Sequence, residues 1–182
     1  LTKNRGLLKR KINDLNVKGK LDYDYIIIDT PPSLNDLTAI ALVAATSVLV
    51  PLQCGFFALQ VVERLLRLVR RLRVTLNPDL RMEGVLLNFY DRNTRESRRA
   101  AEEARQLFGK LVFNTVIPKN TSLGLASFES MPLLLMDAAA PGSRAFLKLA
   151  KEIMARQQNP EKIYYRQNLQ STLQPKYSIL EC

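Results

Sequence analysis

One aspartate, Asp29, ends a β-branched apolar run and is followed at once by Thr30, Pro31 and Pro32. In sheets of parallel strands, ligands bind beyond the carboxyl ends of the strands, so an acid at the end of a strand faces the ligand. Mg²⁺ prefers hard oxygen ligands, and phosphate-handling enzymes use such an acid to support that ion, directly or through water. The two prolines fix φ and remove two N–H donors, which predicts a stiff, extended loop that could sense a phosphate. Alternatively, Asp29 is a residue that caps a turn or a helix.

A second set of residues that could bind a ligand is basic. Four arginines cluster where a helix is predicted to begin, and a lysine stands on a later loop: Arg92, Arg95, Arg98, Arg99 and Lys119. Cations at a helix start oppose the helix dipole, which suggests a role other than helix stability. Together with a formal net charge of +10, they favour a polyanionic partner such as nucleic acid. The alternative is a basic surface that contacts only water.

The chain of 182 residues contains no histidine and two cysteines, Cys54 and Cys182. The absence of histidine excludes histidine-based triads and most catalytic zinc sites. Two cysteines make neither a disulfide framework nor a metal cluster, which favours a reducing, cytoplasmic compartment, and Cys54 is predicted to be a small buried residue. No apolar run reaches the roughly 18–20 residues that span a bilayer, so we expect a soluble protein.

Apolar, β-branched segments alternate with amphipathic segments along the chain. The predicted strands are Tyr25–Asp29, Ser47–Pro51, Glu83–Tyr90 and Leu111–Ile117, and the predicted helices are Leu7–Leu15, Asn35–Ala45, Ala58–Leu76, Thr94–Phe108 and Ser143–Met154. Strands that are apolar throughout and alternate with helices are typical of a parallel sheet covered on both faces. The predicted fold class is therefore α/β, a doubly wound, mostly parallel sheet with helices on both faces, formed by residues 1–156. Residues 157–182 are rich in Gln and Asn and are predicted to be a poorly ordered tail.

Four sequence blocks stand in a recognisable order between about Leu7 and Met154: YDYIIIDTPPSL, LVPLQCGFFAL, LNPDLRMEGVLLNFYDRNTRESR and VFNTVIPKN. Together they closely resemble the ParA/Soj family of chromosome- and plasmid-partitioning ATPases, which are P-loop NTPases with a deviant Walker A loop. The resemblance implies ATP and Mg²⁺ as cofactors, an ATP-dependent homodimer, binding to DNA without sequence preference and a centromere-binding, ParB-like partner. It also implies a cytoplasmic, nucleoid-associated protein that does not bind membranes.

The resemblance assigns roles to individual residues. Asp29 would be the Walker B acid that supports Mg²⁺ indirectly, and residues 30–32 the switch segment that follows it. Asn88, Pro118 and Asn120 would lie beside the adenine, which fits their chemistry because an amide pairs with the base edge and a proline offers a flat apolar wall. The basic residues named above would bind DNA phosphates, which need only charge and reach. For Asn88, the alternative is a turn or sheet-edge residue.

The largest departure from the family pattern concerns the glycine-rich phosphate loop, because these residues contain no match to it or to the generic G-x-x-x-x-G-K-[ST] motif. We expect the first strand, loop and helix of the fold to be missing, and the chain alone to bind no ATP and to be inactive. Ser122, Leu125 and Gln60 also differ from what is common in relatives. Two alternative functions stay open: a MinD-like, membrane-associated positioning ATPase, or a degenerate, non-catalytic ParA-like module. The tail lacks the basic-amphipathic pattern of a membrane-binding helix, which favours DNA.

Overall fold

The computed structural model describes residues 5–31, 33–54, 58–119, 126 and 128–158, with only the backbone described for 58–61. Its elements follow in the order α1 Leu7–Val17, α2 Asp36–Ala44, β1 Ser47–Gln53, α3 Ala58–Thr75, β2 Arg81–Tyr90, α4 Arg95–Phe108, β3 Val112–Pro118, α5 Leu133–Met136 and α6 Pro141–Gln158. A 3₁₀ turn, Gly109–Leu111, links α4 to β3. Apart from the first predicted strand, each predicted element is present to within a few residues. Of the predicted tail, residues 159–182 lie outside the described residues.

The three strands form one sheet in the order β1-β2-β3. β2 and β3 are parallel, with Val85 opposite Val112 and Tyr90 opposite Pro118. Because β3 is last in this order, its outer edge has no strand partner among the described residues.

β1 also runs parallel to β2, as the hydrogen bonds at the two ends of the pair show. The N–H of Arg81 donates to the carbonyl of Thr46, and the N–H of Cys54 donates to the carbonyl of Asn88. Residue numbers rise together along both strands, which is the parallel arrangement. The predicted parallel α/β class is therefore confirmed.

The chain divides into two compact units, Leu1–Val50 with Leu59–Glu83 and Pro51–Ala58 with Gly84–Cys182. In the first unit, buried side chains of α2 and α3 pack with one from the segment before β2: Leu42, Val43, Val69, Leu72 and Leu80. α3 carries its apolar stripe on this side and exposed arginines on the other, as its sequence pattern predicted. No helix in the described ranges is both long and apolar enough to cross a membrane.

Asn77, in the segment that ends α3, ties the first unit together. Its side chain is 1% exposed, and Nδ2 donates to the carbonyls of Leu42 at 2.9 Å and Ala45 at 2.8 Å. Its Oδ1 accepts a hydrogen bond from Nζ of Lys9 at 3.5 Å. Because a buried amide without partners is costly, these bonds fix the end of α2 against the end of α3.

Two helix starts have side-chain caps that the sequence predicted. Oδ1 of Asn35 accepts from the N–H groups of Leu37 at 3.0 Å and Thr38 at 3.3 Å, at the start of α2. In the second unit, Oγ1 of Thr94 accepts from the N–H of Ser97 at 3.4 Å, at the start of α4. Each cap satisfies N–H groups that the helix itself leaves unpaired. The sequence predicts Asn35 or Ser33 as the N-cap of α2 and Thr94 or Asn93 as that of α4, and the structure has Asn35 and Thr94.

The first predicted strand, Tyr25–Asp29, is wrong, because residues 25–30 form no helix or strand and have no sheet partner among the described residues. Tyr25, Ile26 and Ile27 are 49%, 50% and 91% exposed, whereas the prediction was a buried strand. A strand forms only where neighbouring strands bond its N–H and C=O groups and cover its side chains. In the described part of the chain, the sheet consists of β1, β2 and β3, and none of these strands pairs with this segment.

Candidate functional site

Asp29 lies in the exposed segment that precedes α2. Its carboxylate is exposed, and the described residues give it no hydrogen bond or ion pair. In that part of the chain it therefore caps no turn or helix, unlike Asn35 a few residues further on. Carboxylate oxygens exposed in this way are ligands that a hydrated cation could take, which leaves the Mg²⁺ role a prediction. Thr30 and Pro31 are exposed as well, whereas Pro32, which was also predicted for the switch, lies outside the described residues.

Asn88 lies near the carboxyl end of β2. Its Oδ1 accepts a hydrogen bond from the backbone N–H of Phe89 at 2.9 Å, so the side-chain NH₂ is left as the group that could donate to a base. Phe89 has a φ of 52°, in the left-handed region that residues other than glycine rarely adopt. Strained backbone of this kind clusters at ligand sites. The geometry is compatible with the predicted contact to adenine.

Pro118 is the last residue of β3 and is half-buried. The N–H of Lys119 donates to the carbonyl of Tyr90 at 3.0 Å, which holds the start of the following loop beside the end of β2. Asn88 and Pro118 thus lie at the same end of the sheet, where β2 and β3 have their carboxyl ends. The side chain of Lys119 is exposed there. Asn120, the third residue predicted to lie beside the base, is outside the described residues.

The predicted DNA-binding arginines surround the start of α4. Arg95 and Arg98 are exposed, and Nη1 of Arg98 donates to the carbonyl of Arg92 at 2.6 Å. Arg99 is exposed too, and its Nε binds Oε1 of Glu103 at 2.8 Å. The helix start therefore presents a dense group of guanidinium ions to solvent, with one of them paired to a carboxylate.

Arg92 also lines a groove of about 730 Å³ beside the outer edge of β3 and the first turns of α6. The lining residues are Tyr90, Arg92, Asn114, Thr115, Val116, Pro118, Pro141, Arg144, Ala145 and Lys148. Three of them are basic and none is acidic. Sequence prediction missed Arg144 and Lys148, although their spacing of one helical turn is a signal that could have found them.

Beyond this groove, α6 holds β3 through Glu152. Its Oε1 and Oε2 accept hydrogen bonds from the backbone N–H groups of Asn114 and Thr115, each at 2.8 Å. Burial acts to raise the pKa of the Glu152 carboxyl, but the hydrogen bonds from Asn114, Thr115 and Arg156 outweigh it, so the pKa lies below its ordinary value. The carboxylate thus binds two consecutive N–H groups at the register irregularity of β3 between Val112 and Val116.

Arg156 completes the attachment of α6 to β3. It donates to the carbonyl of Val112 at 3.1 Å and to Glu152 at 2.9 Å. Its guanidinium also lies 3.8 Å from the centroid of the Phe113 ring, within reach of a cation–π interaction. We call this set of contacts, made by Glu152 and Arg156 on β3, the edge clamp.

Cys54 follows β1 and is half-buried. Burial raises the pKa of its thiol, and the positive charge of Arg105 opposes this only in part. The thiol is therefore protonated at neutral pH and is no thiolate nucleophile. Cys54 was predicted to be buried and is only half-buried.

The roles of Asp29 at Mg²⁺ and of Asn88 and Pro118 at a base stay predictions. The 182 residues contain no match to a glycine-rich loop whose N–H groups would hold the phosphates. Within the described ranges, no three Cys, Asp or Glu side chains gather into a group that could hold a metal ion.

Comparisons with known proteins give a consistent result. A family model for an AAA domain matches residues 1–82. The chromosome partitioning protein ParA of Caulobacter vibrioides (strain NA1000 / CB15N) is 45% identical over 137 residues, which are 75% of this chain and 51% of that protein. The sporulation initiation inhibitor protein Soj of Bacillus subtilis (strain 168) is 44% identical over 136 residues, 75% of this chain and 54% of Soj.

The fold is also that of cobyrinic acid a,c-diamide synthase from Mycobacterium smegmatis, solved with a bound ATP analog and magnesium. The TM-score is 0.69 at 29% identity, over 90% of this chain and 58% of the synthase. The chain spans about half the length of the curated relatives it matches. Identity of this level over 75% of its residues, on a parallel α/β fold, supports the predicted resemblance to the ParA/Soj family.

Proposed function

We propose that this chain is part of a ParA/Soj-type partitioning ATPase, which positions chromosome or plasmid DNA by dimerising with ATP on DNA of any sequence. Within that protein, it contributes the DNA-binding arginines, the edge of the sheet that contacts the base and the acid that supports Mg²⁺. A centromere-binding, ParB-like partner stimulates hydrolysis, and the protein works in the cytoplasm on the nucleoid. The resemblance to this family supports these roles.

The observation that carries the proposal is the arginine cluster at the start of α4. Arg92, Arg95 and Arg98 are exposed, and the bond from Arg98 to the Arg92 carbonyl holds two of these residues together. Phosphate contacts need positive charge and reach, and they carry no sequence information by themselves. A convex helix start with several guanidinium groups suits the outside of a duplex.

The DNA-binding proposal is tested by the affinity of the chain for two unrelated duplexes as salt is varied. We expect equal affinities, and a slope of log K against log salt of about −0.9 for each phosphate neutralised. Arg95→Ala with Arg98→Ala should make the slope less negative, by up to the contribution of about 2 phosphates. Lys110→Ala with Lys151→Ala removes two exposed charges elsewhere and should leave the slope unchanged.

Two results would overturn the DNA proposal. One is a clear preference for one duplex sequence with little salt dependence. The other is a slope that both double variants change equally, because the arginines would then act only through the net charge of the chain. Binding to anionic vesicles with no binding to either duplex would instead indicate a MinD-like protein that acts on membranes.

The 182 residues of this chain contain no match to a phosphate-loop motif, so its binding of ATP is tested separately, by titration with Mg-ATP in a calorimeter. We expect no measurable heat of binding from this chain alone. A dissociation constant in the low micromolar range, about −8 kcal/mol, would show that other residues hold the phosphates.

A further inference from the structure

The groove between β3 and α6 combines apolar walls with a basic rim. Tyr90, Val116 and Pro118 line it from the strand side, and Ala145 lines it from the helix. Arg144 and Lys148 stand one turn apart along α6 and also line the groove. Its volume of about 730 Å³ is spread along a strand and a helix, so it suits an extended segment of chain.

The positive charges of this groove lack counter-ions in the described residues. Arg92, Arg144 and Lys148 are exposed, no ion pair joins them to an acid there, and no acidic side chain lines the groove. Glu152, the acid next along α6, is already engaged by Arg156 and by two N–H groups of β3. Three cations that converge on one concave surface without a partner favour an anionic ligand.

The edge clamp shows that β3 binds a carboxylate beside this groove. The N–H groups of Asn114 and Thr115, at the register irregularity between Val112 and Val116, donate to the carboxylate of Glu152. The groove continues from these residues toward Pro118 along the same strand. Peptides often dock on strand edges beside a helix, with backbone hydrogen bonds for affinity and side-chain pockets for specificity.

We propose that this groove is a docking site for an extended, acidic and apolar segment of a partner protein. Carboxylates of the segment pair with Arg144, Lys148 and Arg92, and its alternate apolar side chains contact Val116, Pro118 and Ala145. A phosphate backbone uses the cations but gains nothing from the apolar walls, which is why the observations favour a peptide. The groove shares Pro118 with the predicted base contact and Arg92 with the predicted DNA-binding arginines. Arg144 and Lys148, which carry the test, belong to neither.

The test uses the full chain and a fluorescein-labelled peptide that alternates glutamate with valine, read by fluorescence anisotropy. We expect the peptide to bind with an affinity that falls as salt is added. The double variant Arg144→Gln with Lys148→Gln should lower that affinity about three- to tenfold. The matched control, Lys110→Gln with Lys151→Gln, removes as many exposed charges outside the groove and should bind as the unaltered chain does. Peptides with lysine for glutamate, or serine for valine, should bind more weakly than the parent peptide.

Duplex DNA is measured in parallel, because phosphates are the rival ligand. The Arg144 and Lys148 double variant should bind DNA like the control variant, and melting curves should show that both fold. No binding of the peptide by the unaltered chain, or equal binding by all variants, would overturn the proposal. A loss of DNA affinity as large as the loss of peptide affinity would also overturn it and would make the groove a phosphate site. Failure of DNA binding in every variant would count against the proposed function alone.

Discussion

Two apolar, β-branched segments of this chain, Tyr25–Asp29 and β3, have similar compositions and different structures. β3 pairs with β2 and also receives the edge clamp. Tyr25–Asp29 has no sheet partner among the described residues, and Ile27 is 91% exposed where Phe113 of β3 is 0% exposed. β-branched residues therefore permit a strand, and partners for the backbone N–H and C=O groups decide whether it forms.

The two segments are also expected to differ in what they contribute, with β3 contributing to stability and Tyr25–Asp29 to ligand binding. β3 carries buried side chains and satisfied backbone groups, so changes to it or to its clamp should unfold the protein. Tyr25–Asp29 makes few buried contacts and ends in a free carboxylate, so changes there should leave folding intact. Segments with few buried contacts have low local stability and often carry ligand-binding residues.

Loss of the edge clamp should have the largest effect on folding. Glu152→Ala removes the carboxylate that binds two strand N–H groups and the guanidinium of Arg156. The ion pair is largely buried, because the side chain of Arg156 is 9% exposed and that of Glu152 is 15% exposed. We expect the free energy of unfolding to fall by about 3 kcal/mol, as is typical when one partner of a buried pair is removed. Urea denaturation measures it. Glu103→Ala breaks the exposed pair with Arg99 and should cost less than about 1 kcal/mol; equal losses would contradict the role of the clamp.

Close packing behind the clamp should give the next largest effect. Gly84 in β2 has a φ of 155°, and a Cβ there would lie 2.6 Å from the carbonyl oxygen of Leu111 and 2.6 Å from the ring of Phe113. Gly84→Ala should therefore cost roughly 2–4 kcal/mol in urea denaturation. Gly19→Ala is the control, since Gly19 has a φ of 62° but nothing within 4 Å of a Cβ. It should show only the backbone cost of about 1–2 kcal/mol.

The clamp should also make stability depend on pH in a defined direction. The pKa of Glu152 is lowered in the folded chain, so its contribution is fully present above the unfolded carboxyl pKa, at about 4.3, and is lost as pH falls through the folded value. We expect unfolding free energy to decline more steeply with acid in the unaltered chain than in Glu152→Gln. Denaturation curves between neutral and acidic pH compare the two. Parallel pH profiles would show that Glu152 is not ionised in the clamp.

The smallest effect is expected in the unpaired segment. Ile27→Ser should change the free energy of unfolding by less than about 0.5 kcal/mol, because the side chain is already exposed to water. Ile117→Ser in β3, where the side chain is 1% exposed, should cost about 3 kcal/mol or more. A large loss in the first variant would mean that Tyr25–Asp29 is packed in solution.

Local signals explain what the sequence could predict. The caps Asn35 and Thr94, the apolar stripe of α3 and the parallel class follow from neighbouring residues and periodicity, and all were confirmed. The clamp joins residues 37 and 38 positions apart, Thr115 and Asn114 with Glu152, so no local pattern reveals it. The groove likewise depends on the register of α6 against β3. The error at Tyr25–Asp29 has the same cause, because a strand depends on partners that its own sequence does not contain.

The most direct test concerns the free carboxylate that ends the unpaired segment. In a version of the protein extended upstream with the N-terminal residues of the Caulobacter relative, ATP turnover and melting temperature are measured together for Asp29→Ala. We predict that turnover falls by orders of magnitude, because Mg²⁺ loses its support, while the melting temperature stays within about 2 °C. Asp22→Ala, which removes another exposed carboxylate nearby, should change neither quantity. A lower melting temperature for Asp29→Ala with unchanged turnover would contradict the account and would make Asp29 a structural residue.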